Sequence, residues 1–287
     1  MNRIKSPYGP LSKEEKKIIE SCGTEQPFTG KNLREERLGL YACRKCGTPL
    51  FRSEDKFEAF CGWLSFDDSI SGKTEEAPDP DGKRTAVSCA CCGGHLGHVF
   101  KRERLTEKNI RFCINSCSAV FEPQDGGRLA RAMFAGGCFW GIEDMMKKLP
   151  GVIAATPGYC GGNKDFPVYR EVSVGTTGHA ETVEVVYETE KLPYEKLCEY
   201  FFEIHDPSQR NRQGSDIGSQ YRSAIFYLTG EQKAIAEKTV KRLAKTGVYV
   251  VTEIKPFIRF WNAEPYHRNY YERNGGASVC HVWRKKF

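Results

Sequence analysis

The chain has 287 residues, 39% hydrophobic and 28% charged, with a formal net charge of +6. That length suits two domains of ordinary size, that composition excludes a disordered chain, and no apolar run approaches the roughly 18 to 20 residues of a membrane span. The charge is mild and its densest basic clusters, Lys101-Arg102-Glu103-Arg104 and Arg284-Lys285-Lys286, read as solvated faces, so neither nucleic acid nor a membrane is expected as a partner.

Ser12-Lys13-Glu14-Glu15 is a capping box ahead of Ile18 and Ile19, which predicts a short helix running to about Cys22. Residues 28–121 then change texture to short β-prone pieces at 40–42, 49–51, 86–88, 98–100 and 118–121, separated by Gly, Asp and Ser turns, so this part reads as mainly β. Residues 122–128, Glu-Pro-Gln-Asp-Gly-Gly-Arg, read as a polar linker. Beyond it the pattern becomes α/β. Strands are expected at 129–135, 151–155, 182–187 (with one wet face), 223–228 and 248–254, and helices at 139–149, 193–202 and 231–245. Alternating strands and helices indicate a two-layer α/β domain. The two halves do not resemble each other.

The start of the chain has no apolar core that could act as a signal peptide, so a cytoplasmic location is expected. Thirteen cysteines cannot all pair within one chain. In a reducing compartment such a set more often binds metal or does chemistry than staples a fold. Cys43-Arg44-Lys45-Cys46 and Cys89-Ala90-Cys91-Cys92 are two Cys-x-x-Cys pairs, each followed by a glycine that permits a tight turn. Together they predict a tetrahedral structural Zn²⁺ held by Cys43, Cys46, Cys89 and Cys92, with no open position for catalysis. Redox dithiols or buried packing cysteines are the other readings of the same pairs.

Two further cysteines have specialised settings. Arg111-Phe112-Cys113-Ile114-Asn115 follows Gly94-His95-Leu96-Gly97-His98, and imidazoles can donate a proton to a leaving oxygen near neutral pH. Cys61-Gly62-Trp63 offers a second thiol beside an indole. These segments, with the two knuckles and Gly23-Thr24-Glu25-Gln26-Pro27-Phe28-Thr29-Gly30, resemble methionine sulfoxide reductase B across about residues 6–122. The resemblance implies a β-rich fold with Cys113 as nucleophile. It also implies His98, assisted by His95 and Asn115, for proton handling and substrate orientation, and Trp63 lining the methyl pocket. Cys61 matches the usual position of the recycling cysteine. Leu64 stands where proline is usual, and Cys117 where a small apolar residue is commoner, which makes Cys117 a competing resolving thiol.

Cys138 follows two glycines in Gly136-Gly137-Cys138-Phe139-Trp140-Gly141 and opens a helix, whose N-terminus stabilises a thiolate. That signature, with Gly178-His179-Ala180-Glu181, His205-Asp206-Pro207 and residues 216–223, resembles methionine sulfoxide reductase A across about residues 129–283. By that match Cys138 is the nucleophile and Glu181 the acid. Tyr169 and Tyr221 bind the sulfoxide oxygen, Asp216 positions the site, Phe139 and Trp140 hold the substrate methyl, and Cys280 is the recycling cysteine. Core aromatics are the lesser reading of Phe139 and Trp140 on spacing alone, and a spare thiol is the other reading of Cys160. Cys22 and Cys198 read as packing, and Tyr270 and Tyr271 as structural.

The expected organisation is a B-type domain at 1–122, a linker at 123–128 and an A-type domain at 129–287. Methionine sulfoxide is chiral at sulfur, so two enzyme types are needed, one per epimer. The expected substrate is methionine sulfoxide, free or in peptides and proteins, as in repair after oxidative stress. The oxygen is protonated and finally leaves as water, after a cysteine sulfenic acid and a disulfide that thioredoxin reduces. The resemblance assigns the R epimer to the B-type site and the S epimer to the A-type site, with no organic cofactor. Two other classes stay open: a zinc-ribbon module fused to a thiol peroxidase or disulfide oxidoreductase, and, with little support from charge, a redox-sensing regulator.

Overall fold

The computed structural model describes residues 5–79, 81–276 and 281–287. Cys280 therefore lies outside the described residues. The chain forms two compact units, Met1–Gly127 and Arg128–Phe287.

The first unit opens with α1 (Lys13–Ile19), capped as a full capping box by Ser12 and Glu15. The helix stops three residues short of Cys22. Gly23 closes its N–H back on the Lys17 carbonyl, and Cys22 takes a left-handed φ of 54° and faces solvent. The expectation that Cys22 packs inside a helix is therefore corrected.

Eight strands follow: β1 (Gly39–Cys43), β2 (Pro49–Arg52), β3 (Leu64–Phe66), β4 (Thr74–Pro78), β5 (Thr85–Cys89), β6 (His95–Lys101), β7 (Ile110–Ile114) and β8 (Ala119–Pro123). They build a three-stranded sheet, β2-β1-β8, and a five-stranded sheet, β3-β7-β6-β5-β4. Tyr41, Leu50, Phe51, Phe66, Val87, Leu96, Phe112 and Ile114 from both sheets share one core. Phe51 and Phe66 stack there at 4.4 Å between centroids. Three strands escaped the sequence reading. β3 is short, β4 is a polar edge strand with no apolar alternation, and β7 carries the motif around Cys113.

The second unit contains β9 (Leu129–Gly136), α2 (Phe139–Lys147), β10 (Val152–Cys160), α3 (Tyr169–Ser173), β11 (Ala180–Glu188), α4 (Tyr194–Ile204), β12 (Arg212–Gln213), β13 (Asp216–Ile217), β14 (Ser223–Tyr227), α5 (Gly230–Lys245), β15 (Glu253–Pro256), β16 (Phe260–Asn262) and α6 (Tyr270–Asn274). Its main sheet runs β15-β14-β9-β11-β10-β16, antiparallel except for the β14–β15 pair. One face packs Phe134, Tyr159, Val183 and Val185 against Phe139, Ile142, Leu197 and Phe201 of the helices. The other face carries a smaller cluster of Met133, Cys160, Ala224, Phe226 and Phe260.

β11 has no wet face, contrary to its alternating pattern. It is central in the sheet, so both faces are covered, and its Glu184 is fully buried against Arg131 at 2.7 Å. The expected strand at 248–254 is also corrected. Val248 and Val250 pack on the core from irregular chain, and pairing begins only where Glu253 meets Ala224. Cys198 is fully buried in the helical face. No described helix is long and apolar enough to cross a membrane.

Candidate active sites

The four knuckle cysteines come together. Gly47 donates its N–H to the Cys43 carbonyl at 2.7 Å, and Gly93 does the same to Cys89 at 2.8 Å, each with φ above +60°. These paired turns aim four sulfurs at one point. All four lie within 4.8 Å of one another, with Cys43–Cys92 at 3.7 Å and Cys46–Cys89 at 3.6 Å. A tetrahedral zinc thiolate with bonds of about 2.3 Å needs sulfurs about 3.8 Å apart, so the cage fits Zn²⁺. Cys91 points to solvent and stands outside it.

Cys113 sits mid-strand in β7, opposite Ser65 of β3 and His98 of β6. Directly opposed residues share a face of the sheet, so the thiol and the imidazole project together. The Cys61 thiol reaches the same spot and hydrogen-bonds Cys113. That bond, with help from Ser65, the Trp63 backbone and the Arg111 charge, pulls Cys61 down to about 5, while Cys113 is pushed up. Arg111 donates to the Cys61 sulfur at 3.5 Å and to Glu103 at 2.7 and 2.9 Å, and its charge favours the thiolate form of both cysteines.

Around this pair the polar groups are locked. Asn115 donates its amide to the Leu96 carbonyl at 3.1 Å and accepts from the Glu25 N–H at 3.0 Å. The Trp63 indole donates to the Glu25 carbonyl at 3.1 Å. The Glu25 carboxylate caps the turn after β7, accepting from the Ser116 and Cys117 N–H groups. His95 is buried, and burial followed by the His98 charge lowers its pKa. Its ring meets His98 edge-on at 5.5 Å. Cys117 is pushed up to about 12 by burial and Glu25.

In the second unit, Gly136 and Gly137 let β9 turn directly into α2. A Cβ on Gly136 would press on Phe201 and His205, and one on Gly137, at φ +101°, would strike Gln213. Cys138 is the N-cap of α2, and the N–H groups of Trp140 and Gly141 turn toward its sulfur. Burial, then the Glu181 charge, nonetheless raises its pKa.

Glu181 lies in β11 beside Tyr159 and accepts the Phe139 N–H at 3.0 Å. It is 2% exposed, and burial pushes it up to about 8, against the pull of that hydrogen bond. Tyr169 opens α3, Tyr221 ends a 3-10 turn, and Asp216 lies in β13. Both phenols feel Glu181, Cys138 and Asp216, so these five groups converge; burial, above all, lifts Tyr169 to about 12 and raises Tyr221 too. Phe139 is buried in the core, whereas Trp140 is half-buried. The Trp140 indole donates to His267 Nδ1 at 3.1 Å and stacks on Tyr270 at 3.6 Å.

Several contributors were invisible in the sequence. Asp79 holds His98, with Oδ2 2.6 Å from Nε2. Arg111 and Glu25 were read only as parts of a motif. His267 supports Trp140 from over 120 residues away, where no local signal marks such a contact, while Tyr270, expected to be structural, stacks on the same indole. Cys160 lies in the cluster on the face opposite the helices, away from the convergence on Cys138.

Comparison with known proteins is consistent across both units. Residues 130–287 match the family described as peptide methionine sulfoxide reductase, and residues 11–123 match the SelR domain. The peptide methionine sulfoxide reductase MsrA of Nocardia farcinica is 48% identical over 157 residues, covering 54% of this chain and 90% of that protein. Its counterpart in Mycolicibacterium vanbaalenii is 46% identical over the same length, with the same coverage. The crystal structure of reduced Mxr1 from Saccharomyces cerevisiae superimposes with a TM-score of 0.53 at 33% identity, covering 56% of this chain and 95% of that one.

Proposed function

The chain belongs to the peptide methionine sulfoxide reductase family, an A-type domain fused to a B-type domain, and on that premise we propose that its two thiol sites reduce opposite sulfur epimers, R at Cys113 and S at Cys138. The observation that carries this reading is the presence of two separate thiols with different acids. His98 faces Cys113 across paired strands, and a buried Glu181 sits at the helix start that holds Cys138.

In each site a thiolate attacks the sulfoxide sulfur while a proton goes to the oxygen. The thioether leaves as methionine and the oxygen stays on cysteine as a sulfenic acid. A second thiol then attacks the sulfenic sulfur, forming a disulfide and releasing water. A dithiol protein, thioredoxin by the family resemblance, reduces that disulfide by exchange. Trp63 in one site and Phe139 with Trp140 in the other form the wall for the methyl group. His95 and Asn115 orient the first site; Asp216, Tyr169 and Tyr221 shape the second around the oxygen. Zn²⁺ at the four-cysteine cage is structural, since four thiolates leave no position for substrate.

Glu181 supplies a test of the second site. Its carboxyl is neutral below about 8 and ionises above it. Neutral, it can give a proton and does not repel the Cys138 thiolate; ionised, it has no proton to give and repels that thiolate. S-epimer turnover should fall as pH rises through that value. Glu181→Gln should lower kcat by about 10²- to 10⁴-fold, the usual worth of a positioned acid. An unchanged rate in that variant removes Glu181 from the chemistry.

Recycling supplies a second test. Cys61 already touches Cys113. Cys280 adjoins His281, whose ring donates to the Gly136 carbonyl at 2.8 Å, two residues before Cys138. Cys61→Ser and Cys280→Ser should each still release one methionine per site, yet cycle slowly with thioredoxin on the R and S epimers respectively. Mass mapping after sulfoxide treatment should find Cys61–Cys113 and Cys138–Cys280 bonds; Cys113–Cys117 or Cys138–Cys160 would overturn the assignment.

A further inference from the structure

We propose that Asp79 is a positioning residue of the B-type site, fixing the ring orientation and proton inventory of His98; the proposal rests on His98 serving as the proton-handling group there. The carboxylate is an acceptor only, so the 2.6 Å contact requires a hydrogen on His98 Nε2. The proton delivered to the sulfoxide oxygen then comes from Nδ1, leaving a neutral ring still anchored through Nε2–H. Thus one nitrogen holds the ring and the other works.

The hairpin between β4 and β5 builds this arrangement from local parts. Asp79 and Gly82 close its turn, with the Gly82 N–H donating to the Asp79 carbonyl at 2.9 Å. Asp79 Oδ1 accepts from the Asp81 N–H at 3.0 Å, which fixes the carboxylate and leaves Oδ2 for the imidazole. The Asp81 N–H, more than His98, keeps Asp79 ionised. Arg84 stands 3.6 Å from Oδ2 and is itself tied to Asp81 at 2.6 Å. Strand pairing places the partners: β5 sets Ala86 against both Ala77 and His98, so the end of β4 reaches the His98 row from one side as Cys113 does from the other. At 9% side-chain exposure for His98 and 14% for Asp79, water competes poorly for the bond. An acid-bearing turn that aligns an imidazole is the logic by which a carboxylate orients a catalytic histidine in hydrolytic triads.

Asp79→Asn and Asp79→Glu in the full chain test this. Asparagine keeps the size and the turn-forming oxygen but can present an amide N–H to the ring; glutamate restores the charge one carbon further out. R-epimer kcat should fall about 10- to 100-fold in Asp79→Asn, less than the roughly 10²- to 10⁴-fold worth of the acid it positions, with KM nearly unchanged, and Asp79→Glu should recover part of it. S-epimer turnover at Cys138 in the same molecules is the internal standard. Imidazole ¹⁵N spectra should show His98 protonated at Nε2 in the parent and a changed or mixed tautomer in Asp79→Asn. An unchanged His98 spectrum, or equal losses of R- and S-epimer turnover, overturns the proposal. If instead His98→Asn leaves R-epimer turnover intact, the underlying role of His98 fails, and that outcome is distinct.

Discussion

Cys46→Ser should unfold the first domain while S-epimer reduction at Cys138 continues. Four cysteines, two from each knuckle, bring the β1–β2 turn and the β5–β6 turn together, so a metal held there would tie the two turns. A structural zinc site contributes on the order of 10 kcal/mol to folding. A small domain holds only about 5 to 15 kcal/mol of net stability, so losing most of that contribution leaves little. Losing one ligand also leaves three sulfurs crowded together without a cation. Metal analysis of the parent should find one zinc per chain, and a chelator should reproduce the effect of Cys46→Ser. Metal-free protein that still reduces the R epimer at full rate would remove zinc from the account.

The second large effect is a crossed loss of activity. Cys113→Ser should abolish R-epimer reduction and leave S-epimer reduction nearly intact, and Cys138→Ser should do the reverse. An alcohol in place of the thiol cannot form the sulfenic acid, so the affected site should drop to background. On the proposed reading each nucleophile has its own acid, its own aromatic wall and its own resolving thiol, so the chemistry of one should not depend on the other. Loss of both activities from either change, in folded protein, would point to one shared site.

Much of this was legible because the chemistry is written in short motifs. The knuckles announce the cage through their spacing and glycines, and the cage is where the spacing puts it. Gly136-Gly137-Cys138 announces a thiol at a helix start because only glycine tolerates the packing of Phe201 and Gln213 there. What escaped depends on neighbours distant in sequence. β11 alternates like a half-wet strand, yet its central place buries both faces, and Glu184 is neutralised by Arg131 of β9. β4 is polar because it is an edge, so hydrophobic pattern could not find it; with it went Asp79 and its hold on His98. Residues 248–252 are apolar enough for a strand but use that surface to pack on the core as irregular chain.

The most direct measurement of two opposite-handed sites is chirally resolved chromatography of racemic methionine sulfoxide incubated with this chain and a dithiol reductant. Both epimers should disappear to completion in the parent, with the R epimer alone persisting in Cys113→Ser and the S epimer alone in Cys138→Ser. A parent reaction that halts with one epimer untouched, while both domains are folded, would contradict it.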